Sequence, residues 1–329
     1  MTDTSANPNN SSRAGFSASA HMLSFLGGCI SGVLFAQVFG GGWFGILCAY
    51  LCILPIYLAA LAGGRGPAIT ATAFSLLAVF LQQGGMAAAI FALMFAVPAM
   101  VVGRVSLIRL QGNWVDGGIV LQTLLVIGSL LVLFAAMMVS THEGGLAASL
   151  AKVAESYVDV FQQMNPEMTP EQAQQMTEVF TRALPSIIIC SWFFVQLVNL
   201  GIAQWVANEI GKAQRPVIKA SALELPNYIS VAFVLFALAP YVTDSNVGMV
   251  TGTIAVLLGV GMALVGLAIL HLMIDGFMRR RNWNRALRVA VFVFYYLVMM
   301  VVQVPLFLAL ALGLADPWLK FRNKLNLSV

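Results

Sequence analysis

Charged residues are scarce in this chain. They make up 9% of the 329 residues, whereas hydrophobic residues make up 60%, and soluble domains are usually about one-quarter charged. A soluble fold of this length could not bury so much apolar surface, so the composition predicts an integral membrane protein. The excess of basic residues does not indicate nucleic-acid binding, because these residues lie in short loops between apolar runs.

Cysteine and histidine are also rare, with four cysteines and three histidines. The cysteines lie inside apolar runs, which predicts packing side chains rather than disulfide bonds or a zinc site. They are Cys29, Cys48, Cys52 and Cys190. The sequence also lacks the HExxH, Gly-x-Ser-x-Gly and phosphate-loop signatures. It therefore predicts a protein that is not an enzyme, without metal, cofactor, catalytic residues or a nucleotide site of its own.

Long apolar runs are abundant, and they predict an all-α, polytopic transmembrane bundle with nine spans. The third and seventh runs are short, so eight spans is the alternative. The runs cover residues 22–40, 43–62, 67–83, 86–103, 117–140, 185–209, 227–243, 247–274 and 288–314.

These runs divide the chain into five regions. A disordered cytoplasmic tail (1–20) precedes a five-span N-terminal bundle (21–140). An extracytoplasmic amphipathic helical hairpin (141–184) then leads to a four-span C-terminal bundle (185–315) and a short basic tail (316–329).

The basic residues predict the orientation of the bundle, because short basic loops stay in the cytoplasm. A cytoplasmic N-terminus in a bacterial inner membrane places 12 of the 17 basic residues inside. These are Arg13, Arg65, Arg104, Arg109, Lys212, Arg215, Lys219 and the arginines at positions 279, 280, 281, 285 and 288. The basic tail with Lys320, Arg322 and Lys324 does not fit. Either this tail lies at the outer interface or the prediction miscounts one span.

Two predicted spans carry small residues at steps of three or four, which places them on one helix face. Such a seam lets another helix backbone come close in the membrane. The first span has Ser24, Gly28, Gly32 and Ala36, and the eighth has Gly248, Gly252, Gly259 and Gly266. The first seam is expected to contact either another span of the same chain or a partner membrane protein.

The hairpin predicted over 141–184 contains two amphipathic helices. Asn165-Pro166 is expected to end the first helix, and Thr169-Pro170-Glu171-Gln172 has the pattern of a capping box that starts the second. The apolar face of the first helix consists of Leu146, Leu150, Val153, Tyr157, Phe161 and Met164. One interpretation is a hairpin that lies on the bilayer surface, and the other is a lid over an outward-facing cavity.

Polar residues inside spans are costly and mark candidate sites. The sixth span has Gln196 and Asn199 on one face, followed by Gln204 and Asn208. Two carboxamides on one face could hold a small polar ligand, or they could form hydrogen bonds between helices. Both interpretations are open at this point.

His271 and Asp275 lie four residues apart near the predicted cytoplasmic interface and so face the same way. They are candidates for ligand binding or for a proton relay, because a neighbouring carboxylate favours the protonated imidazole. The alternative is a structural pair at the interface. The arginines that follow are most simply a topology signal, with binding of anionic lipid as a secondary interpretation.

From the sixth span onward the chain resembles the YybS-like family of bacterial membrane proteins. The motifs that carry the resemblance are Ala203-Gln204, Arg215-Pro216, Leu225-Pro226, the segment from Gly266 to His271, and the segment from Gly313 to Trp318 with Arg322. The layout of that family is similar to the substrate-binding components of energy-coupling factor transporters. This resemblance implies a helical bundle that binds a small ligand and a first-span seam that packs on a partner. The chain differs from those components by its larger number of spans and its inserted hairpin.

The sequence therefore predicts a bundle, with the lipid bilayer around it, that binds a small molecule or a lipid in a transport-related role. It would depend on a membrane-protein partner for any energy-driven step. The alternative from another class is a membrane scaffold or regulator that acts through its glycine seams. An intramembrane hydrolase would need His271 beside a nucleophile such as Ser191, and no motif places them together.

Overall fold

A computed structural model describes residues 8–140, 145–165, 167–218, 223–243, 245–301 and 304–321. Nearly all of this part of the chain is helical, which confirms the predicted all-α fold. The chain forms two compact units. Unit 1 consists of residues 1–115 and 194–218, and unit 2 consists of residues 116–193 and 219–329.

Twelve α-helices are described, together with short 3-10 and π segments and one two-stranded β-hairpin. In chain order the helices are α1 (Pro8–Ala36), α2 (Gly42–Leu51), α3 (Leu54–Leu58), α4 (Arg65–Phe91), α5 (Val97–Ser106), α6 (Gly117–Ser140), α7 (Gly145–Met164), α8 (Pro170–Glu209), α9 (Asn227–Leu238), α10 (Ser245–Arg280), α11 (Arg285–Val301) and α12 (Val304–Leu319). The strands are β1 (Arg109–Leu110) and β2 (Asn113–Trp114), which pair antiparallel.

Six helical runs among the described residues are long and apolar enough to cross a membrane. They are Ser19–Gly40, Gly42–Gly63, Arg65–Ser106, Gly117–Val139, Pro170–Glu209 and Asn246–Arg280, and shorter apolar helices cover Asn227–Tyr241 and Pro305–Leu319. The predicted third and fourth spans thus share the run Arg65–Ser106. Gly84 breaks that run with φ 82° and ψ −179°.

The two arms of this run are antiparallel. Arg65 and Ile69 from the start of the run line the same cavity as Val101 and Arg104 from its end. The chain therefore reverses direction at Gly84, where the positive φ favours glycine. The predicted third and fourth spans are therefore two separate arms, and Gly84 forms the turn between them.

The small-residue seam of the first span packs within unit 1. A side chain on Gly28 would collide with the backbone of Ala71, and one on Gly32 would collide with the backbone of Ser75. Ser24 and Ala36 of the same seam are buried. The structure thus shows the contact with another span of the same chain, which was one of the two expected outcomes.

Helix α10 is the centre of unit 2. A Cβ on Gly261 would collide with Leu125 of α6, and Pro240 lies beside Gly248. Among the α10 glycines, Gly266 makes the closest contact with a neighbouring helix. A side chain there would overlap the carbonyl group of Ala309 in α12. The predicted seam of this helix therefore makes close contacts with neighbouring helices. Its Gly252 and Gly259 lie beside Pro240 and Phe233.

The last predicted span, over 288–314, is not a single helix in the structure. Two helices, α11 and α12, replace the single span expected over 288–314. Helix α11 runs antiparallel to α10, since Arg288 Nη1 lies 3.8 Å from Asp275 Oδ1 and Tyr296 OH lies 3.0 Å from His271 Nδ1.

Helix α12 runs parallel to α10. The Leu310 side chain lies 3.8 Å from the position of a Cβ on Gly259, and Gly313 contacts the backbone of Met262 and Gly266 further along. Helices α11 and α12 are therefore antiparallel to each other. Lys320 returns to the end of unit 2 at which α11 begins. Of the two explanations given for the basic tail, the position of Lys320 favours the miscounted span, whereas Arg322 and Lys324 lie outside the described residues.

The amphipathic hairpin is present, with one difference. Helix α7 ends at Met164, and the predicted capping box forms: Thr169 N donates to Gln172 Oε1 at 3.0 Å, and Gln172 N donates to Thr169 Oγ1 at 3.3 Å. Helix α8 then continues through Pro185 to Glu209, so the second hairpin helix and the sixth span are one helix.

The apolar face predicted for α7 is largely exposed, with Tyr157 54% and Met164 74% accessible. The residues that α7 buries are Ala154 and Val158 instead. The bilayer-surface and lid interpretations of this hairpin both stay predictions. At the other end of the chain, α1 begins at Pro8, so residues 8–20 are helical where the sequence predicted a disordered tail.

Candidate functional site

Two interrupted helices surround the predicted carboxamides in unit 1. Helix α2 ends at Leu51 and α3 restarts at Leu54, with Pro55 in its first turn. A turn of π-helix over Ala92–Ala96 precedes Pro98. Proline lacks an N–H group, and a broken helix leaves carbonyl groups without their usual donors.

Side chains from other helices provide the missing donors at the α2–α3 break. Asn199 Nδ2 donates to the carbonyl oxygen of Tyr50 at 2.6 Å and to that of Val195 at 2.8 Å. The Ser31 hydroxyl donates to the carbonyl oxygen of Cys52. The bonds to Tyr50 and Cys52 satisfy the polar backbone where the helix is interrupted, whereas Val195 lies one turn before Asn199 in α8.

Gln196 performs the same role at the second break. Pro98 cannot donate to the carbonyl oxygen of Met94, and Gln196 Nε2 lies 3.3 Å from that oxygen. Gln196 Oε1 accepts a hydrogen bond from Tyr57 OH at 2.8 Å. Both carboxamides are buried, Gln196 at 0% and Asn199 at 1% exposure. Their contacts are the interhelical hydrogen bonds that the second interpretation expected, and ligand binding by this pair stays a prediction.

The second predicted pair is not brought together. Gln204 Nε2 donates to the carbonyl oxygen of Arg215 at 3.2 Å, whereas Asn208 is exposed. The buried guanidinium of Arg215 donates to the carbonyl oxygens of Ser106 at 2.7 Å and Val115 at 3.1 Å. Gln204 and Arg215 thus fix the loop after α8 to the ends of neighbouring segments.

Two cavities flank this loop in unit 1. The first, here called the arginine groove, has a volume of about 470 Å³ and is lined by both Arg65 and Arg104. The rest of its wall is mainly apolar and includes Ala60, Ala68, Ile69, Met100, Val101 and Val105. No carboxylate is among the residues that line it. In the sequence alone, these arginines are recognisable only as topology signals.

The second cavity, here called the lysine groove, has a volume of about 520 Å³. Lys212 and His21 line it, and no carboxylate does. His21 Nδ1 lies 2.8 Å from Thr70 Oγ1, which fixes the ring at the start of α4. Gln214 lines both grooves.

Unit 2 holds the remaining predicted site residues. The His271 ring stacks on Phe292 with 4.1 Å between ring centroids, and its Nδ1 lies 3.0 Å from Tyr296 OH. Asp275 pairs with Arg279, the atoms being 2.6 Å apart, and lies 3.8 Å from Arg288. Both residues therefore join α10 to α11. Their roles in ligand binding or proton transfer stay predictions.

A family model described as "Predicted membrane protein (DUF2232)" matches residues 29–317. The chain belongs to this family. The DUF2232 match includes every residue of the arginine groove and begins inside α1, whereas part of the lysine groove precedes it. The family description agrees with the apolar helices of the structure. No curated protein and no solved structure matches the chain significantly.

Proposed function

We propose that unit 1 binds an anionic amphiphile, a lipid or lipid-like small molecule, in the arginine groove. The observation that carries this proposal is the pairing of Arg65 and Arg104 on a wall that is otherwise mainly apolar. An acyl chain would contact the apolar wall, and an anionic headgroup would contact the guanidinium groups. Basic pockets between transmembrane helices bind lipid headgroups in this manner.

The electrostatics of the groove support an anionic headgroup. Both arginines are exposed and line the cavity. Arginine presents several donors in a fork that matches a phosphate or a carboxylate. With no carboxylate among the lining residues, an incoming anion meets no acidic competitor on the wall.

We place the groove on the cytoplasmic side because Arg65 and Arg104 lie at the ends of α4 and α5, beside short connecting loops. Any movement of the ligand across the membrane would depend on a partner that supplies energy, in keeping with the resemblance to substrate-binding components of energy-coupling factor transporters. The scaffold alternative has less support, because Gly28 and Gly266 are already packed inside the chain.

The test is lipid retention by gently extracted protein, measured with native mass spectrometry. Phosphatidylglycerol and phosphatidylcholine with identical acyl chains separate the effect of headgroup charge from that of the chains. The double variant Arg65→Gln/Arg104→Gln should bind phosphatidylglycerol roughly thirtyfold more weakly, at about 1 kcal/mol for each cation. It should change phosphatidylcholine binding little.

The matched control is Arg109→Gln. Arg109 is a nearby basic residue that stacks over Trp114, 4.1 Å from the ring centroid, and does not line the groove. This variant should retain both lipids as the wild type does. Equal loss of phosphatidylglycerol in the control and in the double variant would contradict the proposed site.

A further inference from the structure

The arginine groove and the lysine groove share one wall. Gln214 is the residue common to both linings, and its side chain lies against Gly64. A Cβ on Gly64 would lie 3.0 Å from Gln214 Nε2, and Gly64 has φ +83°. Glycine at this position therefore leaves space for the Gln214 carboxamide between the two cavities.

The Gln214 side chain in the shared wall is only weakly held. Gln214 is exposed, and its Nε2 donates to the carbonyl oxygen of Ala62 at 3.4 Å, near the limit for a hydrogen bond. Its backbone N–H donates to the carbonyl oxygen of Leu61 at 3.1 Å, which fixes the main chain. The side chain can thus contact a ligand on either side while the loop stays in place.

The two grooves present separate cationic groups across this wall. Arg65 and Arg104 line one side, and Lys212 lines the other with His21. Lys212 does not line the arginine groove, and Arg65 and Arg104 do not line the lysine groove, so the cationic groups belong to two separate cavities. Two phosphates joined by a short linker would place one anionic group in each groove.

We infer that the ligand of unit 1 carries two anionic groups separated by a short linker, with one bound in the arginine groove and the other in the lysine groove. This inference rests on the proposed function and specifies its ligand. Cardiolipin, in which a glycerol joins two phosphates, has this chemistry. A lipid with a single phosphate would occupy only the arginine groove.

The experiment compares cardiolipin with phosphatidylglycerol by native mass spectrometry of the full chain. Wild-type protein should retain cardiolipin about fivefold more tightly than phosphatidylglycerol, the effect of one additional cation beside an anionic headgroup. Lys212→Gln should remove this preference, because it deletes the charge of the lysine groove. Phosphatidylglycerol binding should stay within about twofold of wild type, since its phosphate contacts the other groove.

Lys152→Gln is the matched control, because Lys152 lies on α7 and lines neither groove. It should keep the fivefold preference for cardiolipin. Equal retention of the two lipids by wild-type protein, with the dependence on Arg65 and Arg104 intact, would overturn this inference and leave the proposed function standing. Loss of the arginine dependence for phosphatidylglycerol would instead overturn the proposed function and this inference together.

Discussion

Unit 1 and unit 2 differ in the continuity of their helices and in the contacts that pack them. In unit 1, helices are interrupted between α2 and α3 and before Pro98, and buried polar side chains satisfy the carbonyl groups that these breaks leave. In unit 2, α10 runs unbroken from Ser245 to Arg280. Its glycines lie so close to neighbouring helices that a side chain at Gly261 or Gly266 would collide with them.

This difference supports the proposed placement of the ligand site in unit 1. Irregular backbone at membrane depth is tolerated where protein buries it or where it lines a cavity, and discontinuous helices commonly mark binding sites in transporters. Both grooves of the proposed site lie in unit 1. In unit 2, a methyl group added at Gly266 or Gly313 would overlap backbone atoms of the neighbouring helix.

The largest expected effect concerns the direction of the chain in unit 2. Because α11 and α12 form a hairpin, residues 283 and 320 should lie on one side of the membrane. In a chain whose native cysteines are replaced by alanine, Trp283→Cys and Lys320→Cys should both resist an impermeant thiol reagent added outside. Val153→Cys in α7 is the control and should react. Reaction at position 320 but not at 283 would show that α12 ends on the opposite side.

The next effect is on folding. Gly266→Ala should destabilise the protein by roughly 3 kcal/mol, because its methyl group would overlap the carbonyl group of Ala309 and overpacking costs this much. Thermal unfolding in detergent measures the change. Gly201→Ala is the matched control, since no atom outside its own helix backbone and chain neighbours lies within 4 Å of the Cβ position at Gly201. An unchanged melting temperature for Gly266→Ala would remove the contrast between the units.

A smaller effect tests the breaks in unit 1. Gln196→Leu should cost about 1–3 kcal/mol of stability, because the Met94 carbonyl oxygen and the Tyr57 hydroxyl lose their partner. Pro98→Ala restores an N–H group that can donate to Met94. The double variant should therefore recover part of the loss in a double-mutant cycle. Additive effects of the two substitutions would show that Gln196 does not replace the proline's missing donor.

Several parts of the fold follow from the sequence. The capping box at Thr169 needs only local spacing, and the uncharged stretch ahead of Asp275 is long enough to require a membrane helix. The end of the chain was harder to predict. The run over 288–314 contains no charged residue after Arg288, so hydropathy alone does not divide it. The available signal was Pro305, which is typical of the first turn of a new helix.

The site was less predictable than the fold, because tertiary packing assembles it. Arg65, Arg104 and Lys212 are far apart in the chain, and each alone is a sufficient topology signal. The carboxamides at 196 and 199 were found as polar residues in a span. Their partners are backbone groups freed by Pro98 and by the α2–α3 break, which no pattern in their own helix reveals.

The most direct test of a ligand site in unit 1 is photo-crosslinking with an anionic phospholipid that carries a diazirine in its acyl chain. Peptide mapping after illumination should find the label on the wall of the arginine groove, in peptides that contain Ile69, Met100 or Val101. An excess of unlabelled phosphatidylglycerol should prevent this labelling by competition, and the double variant Arg65→Gln/Arg104→Gln should reduce the amount of label. Label spread evenly over the lipid-exposed helices of both units, without competition, would contradict the account.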